Sequence, residues 1–137
     1  MREGARFSPM LKIFLVDDSP LVRQRIAALV GAIQAVEIVG EAEEASDALS
    51  GIAATNADVV VVDLRLTGGS GMDVLAGLAQ SSRPVITIVL TNYSSAAIRE
   101  ACLSAGANYF FDKTSEFNLA RDVIKSIAAS RAASTDR

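Results

Sequence analysis

The chain has no histidine, no tryptophan, one cysteine and only three prolines in 137 residues. Without histidine, Ser-His-Asp and Cys-His catalysis are excluded, and so are most zinc sites. The lone cysteine, Cys102, has no disulfide framework to join, and within an apolar helical pattern it reads as a small core residue. Any bound metal should therefore be a hard cation held by oxygen. Positive charge is also short, with 13 Lys and Arg against 16 Asp and Glu and a net charge of −3. That balance offers no footprint for a phosphate backbone, so direct nucleic-acid binding is not expected. No apolar run follows a basic start, and no uncharged stretch is long enough to span a bilayer. The expected setting is soluble and cytoplasmic, without membrane contact.

What the chain does have is apolar content, at half its residues. Most of it is Val, Ile, Leu and Ala, which suits an α/β layer protein better than a disordered chain or a disulfide scaffold. The length fits one domain with a sizeable core. Val59 to Val62 is an unbroken apolar run with no polar face, as expected of a strand buried on both sides of a parallel sheet. It ends on Asp63, followed by a glycine-containing loop. In open α/β sheets, ligands bind outside the carboxyl ends of the strands, which is where Asp63 falls. Taken alone, such an aspartate more often just ends a strand.

The other elements follow in order. Residues 1–10 are polar, aperiodic and read as a loose leader. Leu11 to Val16 predicts a strand ending in Asp17-Asp18, and Ser19-Pro20 supplies an N-cap and a first helical position. Leu21, Val22, Ile26, Leu29, Val30 and Ile33 then make one apolar helical stripe. A strand over 36–42 and a helix over 43–55 follow, with Asn56 as a plausible stop. Helix 70–81, strand 85–90 ending at Thr91-Asn92, and a helix from Ser94-Ser95 to Gly106 come next. Strand 108–111 precedes Asp112-Lys113. Thr114 or Ser115 is expected to cap a last helix with Phe117, Ala120, Val123, Ile124 and Ile127 inward. Residues 132–137 read as a flexible tail, leaving 11–131 as the domain. Five strands alternating with five helices predict a doubly wound parallel sheet with right-handed crossovers.

Several strand ends then bring polar groups to one edge. Asp17 and Asp18 come from the first strand, Asp63 from the third, Thr91 from the fourth and Lys113 from the fifth. Three converging carboxylates repel one another, and a dication such as Mg²⁺ would relieve the strain. A lysine and a hydroxyl beside them suit phosphoryl oxygens, with a carboxylate available as nucleophile. Singly, each has a plainer reading: Asp17-Asp18 as helix-start residues, Thr91 as a strand-end hydroxyl, Lys113 as a solvated lysine. The Gly68-Gly69-Ser70-Gly71 run lacks the ending of a P-loop and the spacing of a dinucleotide fingerprint, so it reads as a turn. Joint placement at successive strand ends shifts the balance.

The segments LKIFLVDDSP, VVVVDLRLTGGSGMDVL, IVLTN and GANYFFDKT together resemble the receiver domain of bacterial two-component response regulators. The likeness runs from about Leu11 to Ala129 and suggests a stand-alone, chemotaxis-regulator-like single-domain type. It implies a flavodoxin-like (βα)5 fold with strand order 2-1-3-4-5. It further implies that Asp63 takes a phosphoryl group from the phosphohistidine of a sensor histidine kinase or phosphotransfer protein. Asp17, Asp18, Asp63 and the backbone carbonyl of Arg65 match the Mg²⁺ ligands. Thr91 matches the switch hydroxyl, Lys113 its phosphoryl-pairing lysine, and Phe110 the aromatic switch position, though a core ring is the plainer reading of Phe110. The signal would pass through the surface of the fourth helix, fifth strand and fifth helix to another protein, with a phosphorylation-linked homodimer left open. Such a protein catalyses only its own phosphorylation and dephosphorylation.

The sequence departs from that pattern in places. Asn92 stands where a very small residue is usual, and Thr114 and Thr67 stand where prolines are common. Arg65 and Tyr93 occupy positions that tune dephosphorylation in the family, and their bulk is expected to slow attack by water. Asn92 also keeps a second reading open, that of a non-phosphorylated pseudo-receiver acting as an interaction module. A third class, a metal-dependent phosphohydrolase, lacks a candidate acid or base and a substrate pocket.

Overall fold

The computed structural model of the chain describes residues 10–135. Among these, strands and helices alternate as β1 (Leu11–Val16), α1 (Pro20–Gly31), β2 (Val36–Ala42), α2 (Ala45–Thr55), β3 (Val59–Val62), α3 (Gly71–Ala79), β4 (Ile86–Thr91), α4 (Ala96–Ser104), β5 (Tyr109–Asp112) and α5 (Phe117–Thr135). Neighbouring strands pair in parallel in the order β2-β1-β3-β4-β5. This is the flavodoxin-like order the sequence led us to expect. Residues 1–9 of the expected leader lie outside the described residues, and Met10 stands exposed before β1.

The sheet has apolar layers on both faces because its central strands carry no polar alternation. All four residues of β3 are buried. Successive side chains point to opposite faces, so Val59 and Val61 join one cluster while Val60 and Val62 join the other. The first cluster takes Leu11, Ile13 and Leu15 from β1, Ile26 and Val30 from α1, and Phe117, Ala120 and Ile124 from α5. The second takes Phe14 and Val16 from β1 with Ala48 and Ile52 of α2, Val74 and Leu75 of α3, and Cys102 of α4. Cys102 is thus the small core residue expected, and burial raises its thiol pKa.

Local chemistry sets most helix ends. Ser19 caps α1, its hydroxyl accepting from the Val22 N–H at 3.2 Å, with Pro20 opening the helix. Ser70 and Asp73 form a capping box at the start of α3. Asn56 ends α2 in the left-handed conformation, and Gly106 follows α4 with φ +112°.

Three expectations need correction. Leu21 is 77% exposed, because it lies in the first turn of α1, whereas the buried residues of that helix are Ile26 and Val30. Neither Thr114 nor Ser115 caps α5. The carboxylate of Asp112 accepts both of their N–H groups, so the chain completes a turn before the helix opens at Phe117. Finally, α5 continues through Thr135 where a tail was expected from Ala132, and residues 136–137 of that expected tail lie outside the described residues. The alanines there favour helix, and no glycine or proline interrupts it. No helix among the described residues is long and apolar enough to cross a membrane.

Candidate functional site

Parallel register brings the strand ends level. Val16 is opposite Val62, so the next residues, Asp17 and Asp63, emerge side by side. The Asp63 N–H donates to the Val16 carbonyl at 2.9 Å, and the Asp17 N–H to that of Ala42 at 3.1 Å. On the other side Thr91 is opposite Asp112, and the Lys113 N–H donates to the Thr91 carbonyl at 2.8 Å. The residues therefore gather because each ends a buried strand, and the backbone ladder holds them there.

The floor of the site is almost dry. Asp17 is 2%, Asp63 6% and Thr91 0% exposed. Lys113 reaches across from β5, its ammonium donating to Asp17 Oδ2 at 2.7 Å and to Asp63 Oδ2 at 2.6 Å. Burial works against the Lys113 charge, but its bonds to the two carboxylates outweigh that and raise its pKa. Burial pushes the Asp17 carboxyl up, against the opposing pull of Lys113 and the Ser19 N–H. Asp18, half-buried, completes the acidic group: one carboxylate oxygen from each of Asp17, Asp18 and Asp63 lies within 4.8 Å of the others. One lysine against three carboxylates leaves an excess of negative charge facing the opening, which fits a small divalent cation with oxygen ligands.

Thr91 Oγ1 accepts from the Tyr93 N–H at 3.2 Å. Its hydroxyl hydrogen is left to donate elsewhere. Arg65 is exposed, and its guanidinium donates to the Tyr93 hydroxyl at 2.6 Å, an arrangement that raises the Arg65 pKa. The loop after Asp63 is thereby tied to the loop after Thr91. Phe110 is buried in the core, with the Arg99 guanidinium of α4 5.8 Å from its ring centroid and donating to its carbonyl at 3.2 Å. The structure therefore shows the core ring that was the plainer reading of Phe110.

Three features went unseen in the sequence. A Cβ on Gly71 would sit 2.4 Å from the Asp63 carbonyl oxygen, so the first turn of α3 packs directly on the backbone of Asp63. Only glycine permits that approach without a shift. The expected crowding residue Asn92 is paired: Thr114 donates its hydroxyl to Asn92 Oδ1 at 3.1 Å, and alongside it Ser94 donates to Asp112. Arg23, on the first turn of α1, folds back onto the carbonyl of Asp17. Helical spacing gave no signal for this contact, because Asp17 lies before the helix, which opens only at Pro20.

Comparison with known proteins agrees with this geometry. Residues 13–125 match the family model described as the response regulator receiver domain. The chain is 33% identical over 123 residues to the DNA-binding transcriptional activator DevR/DosR of Mycobacterium tuberculosis, covering 89% of this chain and 56% of that protein. It is 31% identical over 118 residues to a nitrate/nitrite response regulator protein homolog of Haemophilus influenzae, covering 86% and 57%. The chain thus spans a little over half the length of these curated relatives. Among solved structures, a two-component response regulator of the LuxR family from Aurantimonas sp. aligns at TM-score 0.81 and 28% identity, covering 90% of this chain and 88% of that one.

Proposed function

The chain belongs to the response regulator receiver family, whose members are phosphorylation-dependent signalling switches, and from that premise we propose that Asp63 is its phosphoacceptor. The observation that carries this is the position of Lys113, whose ammonium bridges Asp17 and Asp63 beside Asp18 in a nearly dry pocket. In the proposed reaction a carboxylate oxygen of Asp63 attacks the phosphorus of a phosphohistidine. The new P–O bond forms as the P–N bond breaks, and the imidazole leaves with the electron pair. The donor is a sensor histidine kinase or a phosphotransfer protein. The intact set of Asp63, Thr91 and Lys113 favours this over the pseudo-receiver.

Asp17, Asp18, Asp63 and the backbone carbonyl of Arg65 would hold Mg²⁺. When bound, the ion supplies positive charge where three carboxylates and a phosphoryl group meet. The chain's own groups do the rest. Lys113 exchanges part of its contact with Asp63 for a phosphoryl oxygen, and Thr91 donates its free hydroxyl hydrogen to another. Arg65 and Tyr93, linked across the opening, narrow the approach of water and so slow the return hydrolysis. Movement of Thr91 is passed to Phe110 and to Arg99, which lies on its ring, altering the face made by α4, β5 and α5. That face carries exposed Leu103, Tyr109 and Leu119, and is where we place the downstream protein or a phosphorylation-linked second copy. We place the receiver unit at residues 11–131.

The test is the intact mass of the protein after incubation with a small-molecule phosphodonor, with and without Mg²⁺, alongside Asp63→Asn. A single Mg²⁺-dependent phosphoryl adduct is expected in the wild type and none in the variant. An adduct that survives Asp63→Asn would overturn the assignment.

A further inference from the structure

The acidic pair hangs on more than its own strand. Arg23 makes three charge-assisted contacts: Nη1 donates to the Asp17 carbonyl at 2.6 Å, Nε to Glu41 Oε1 at 2.8 Å, and Nη2 to Glu43 Oε2 at 3.2 Å. Its side chain is 13% exposed. The Arg23 N–H donates to the Ser19 carbonyl at 3.0 Å, so the residue is anchored in the first turn of α1 while its side chain spans the β1–α1 turn. Glu41 lies in β2 and Glu43 just beyond it, and together they hold the guanidinium in place.

We infer that Arg23 is the positioning residue of the Asp17–Asp18 pair, setting its affinity for Mg²⁺ without touching the ion. The carbonyl it holds belongs to the peptide group that joins Asp17 to Asp18. Fixing that oxygen fixes the plane of the peptide, and with it the direction in which Asp18 leaves the strand. The Asp17 carboxylate is pinned separately, by the Ser19 N–H at 2.9 Å and by Lys113. Of the two pair members, Asp18 is therefore the one whose placement depends on Arg23. Only a planar fork suits the role, because one ammonium cannot serve a carbonyl and two carboxylates in these directions.

The inference rests on Asp17, Asp18 and Asp63 being the metal ligands, and it has a sign that separates it from plain electrostatics. Arg23 is a cation beside a cation site, so as a point charge its removal should tighten Mg²⁺ binding. As a positioning group, its removal should weaken binding by about tenfold, the scale of loss seen when groups supporting metal ligands are removed.

The experiment is calorimetric titration of the full chain with Mg²⁺ alone, for the wild type, Arg23→Ala and Arg23→Lys, with circular dichroism confirming that each is folded. We expect the alanine variant to bind about tenfold more weakly, with the lysine variant recovering little of the loss. In metal-free protein, amide hydrogen exchange over residues 17–22 should rise in both. Unchanged or tighter binding in Arg23→Ala overturns the inference. If that variant does not fold, Arg23→Lys decides, since it keeps the charge and loses the fork: weaker binding supports positioning and wild-type binding refutes it. Absence of Mg²⁺ binding in the wild type would remove the metal reading itself, and this inference with it.

Discussion

The two carboxylates Asp17 and Asp112 stand at opposite ends of the same constellation and behave in opposite ways. Asp17 lies on the dry floor, where burial raises its pKa even though Lys113 and the Ser19 N–H pull it down. Asp112 lies at the rim, where Ser94, Ser115 and Thr114 hydrogen-bond its carboxylate and hold its pKa at about 2. The floor is short of positive charge, and the rim is saturated with hydrogen-bond donors. A site short of charge gains most from a cation or a newly attached group, so ligand energy acts on the floor. The rim joins the loop after Thr91 to the turn after Lys113 through side chains alone, so it is the part able to yield under the proposed movement of Thr91.

The largest effect should come from sharpening the shortage on the floor. Lys113→Met leaves Asp17 and Asp63 buried without the cation that both contact. Breaking a buried ion pair from one side costs about 3 kcal/mol. The loss should show as a lower urea midpoint in metal-free protein at pH 7, and added Mg²⁺ should recover much of it by binding the folded state only. A loss that Mg²⁺ leaves untouched would mean that Lys113 acts by packing, and the contrast with the rim would weaken. The raised Lys113 pKa gives a companion sign. Its stabilising contribution is present throughout neutral pH and disappears only as pH rises past the unfolded value of 10.5 toward the folded one.

The floor was legible in the sequence, and the rim was not. Asp17, Asp63 and Thr91 each follow or end an apolar run, and runs without polar alternation announce central parallel strands whose ends must be neighbours. Strand order and register then follow from few allowed topologies. Spacing carries no comparable signal for a bond between Asn92 and Thr114, which are 22 residues apart and join two exposed loops. Thr114 and Ser115 look like helix caps because both are good at it, yet Asp112 had already taken their N–H groups. Leu21 shows the same limit, since a stripe of period 3.6 does not say where a helix first meets the sheet. Gly71 was read as part of a turn, and its true constraint is the backbone of Asp63 against it.

A smaller effect should appear on acidification. The Asp112 pKa falls from 3.8 to about 2 on folding, so its contribution to stability is present above pH 3.8 and is lost as pH drops through about 2. Asp17 has the other sign: its folded pKa is raised, and the ionised form loses its penalty as pH falls from that value toward 3.8. Asp112→Asn keeps acceptors for the Thr114 and Ser115 N–H groups but cannot titrate. We expect a lower urea midpoint at pH 7, where the ionised carboxylate's contribution is missing. The fall between pH 4 and pH 2 should be shallower, so that the variant and the wild type converge in acid. An unaltered acid slope would show that the rim is not where acid acts.

The smallest effect tests whether the rim is as soft as the comparison requires. The bond from Thr114 to Asn92 is neutral and exposed, so its net worth should be about 0.5 kcal/mol. Thr114→Val and Asn92→Ala should each speed amide hydrogen exchange over residues 92–95 about twofold, and the double variant should exchange no faster than either. That non-additivity would identify the shared bond, and Thr114→Ser should restore the wild-type rate. Strictly additive effects would mean that each residue acts alone, with Asn92 crowding the opening as its bulk suggests. A change well above twofold would mean that the rim is held as firmly as the floor. Thr91 would then have to break a strong latch in order to move, and the yielding element would have to be sought in the Arg65–Tyr93 contact instead.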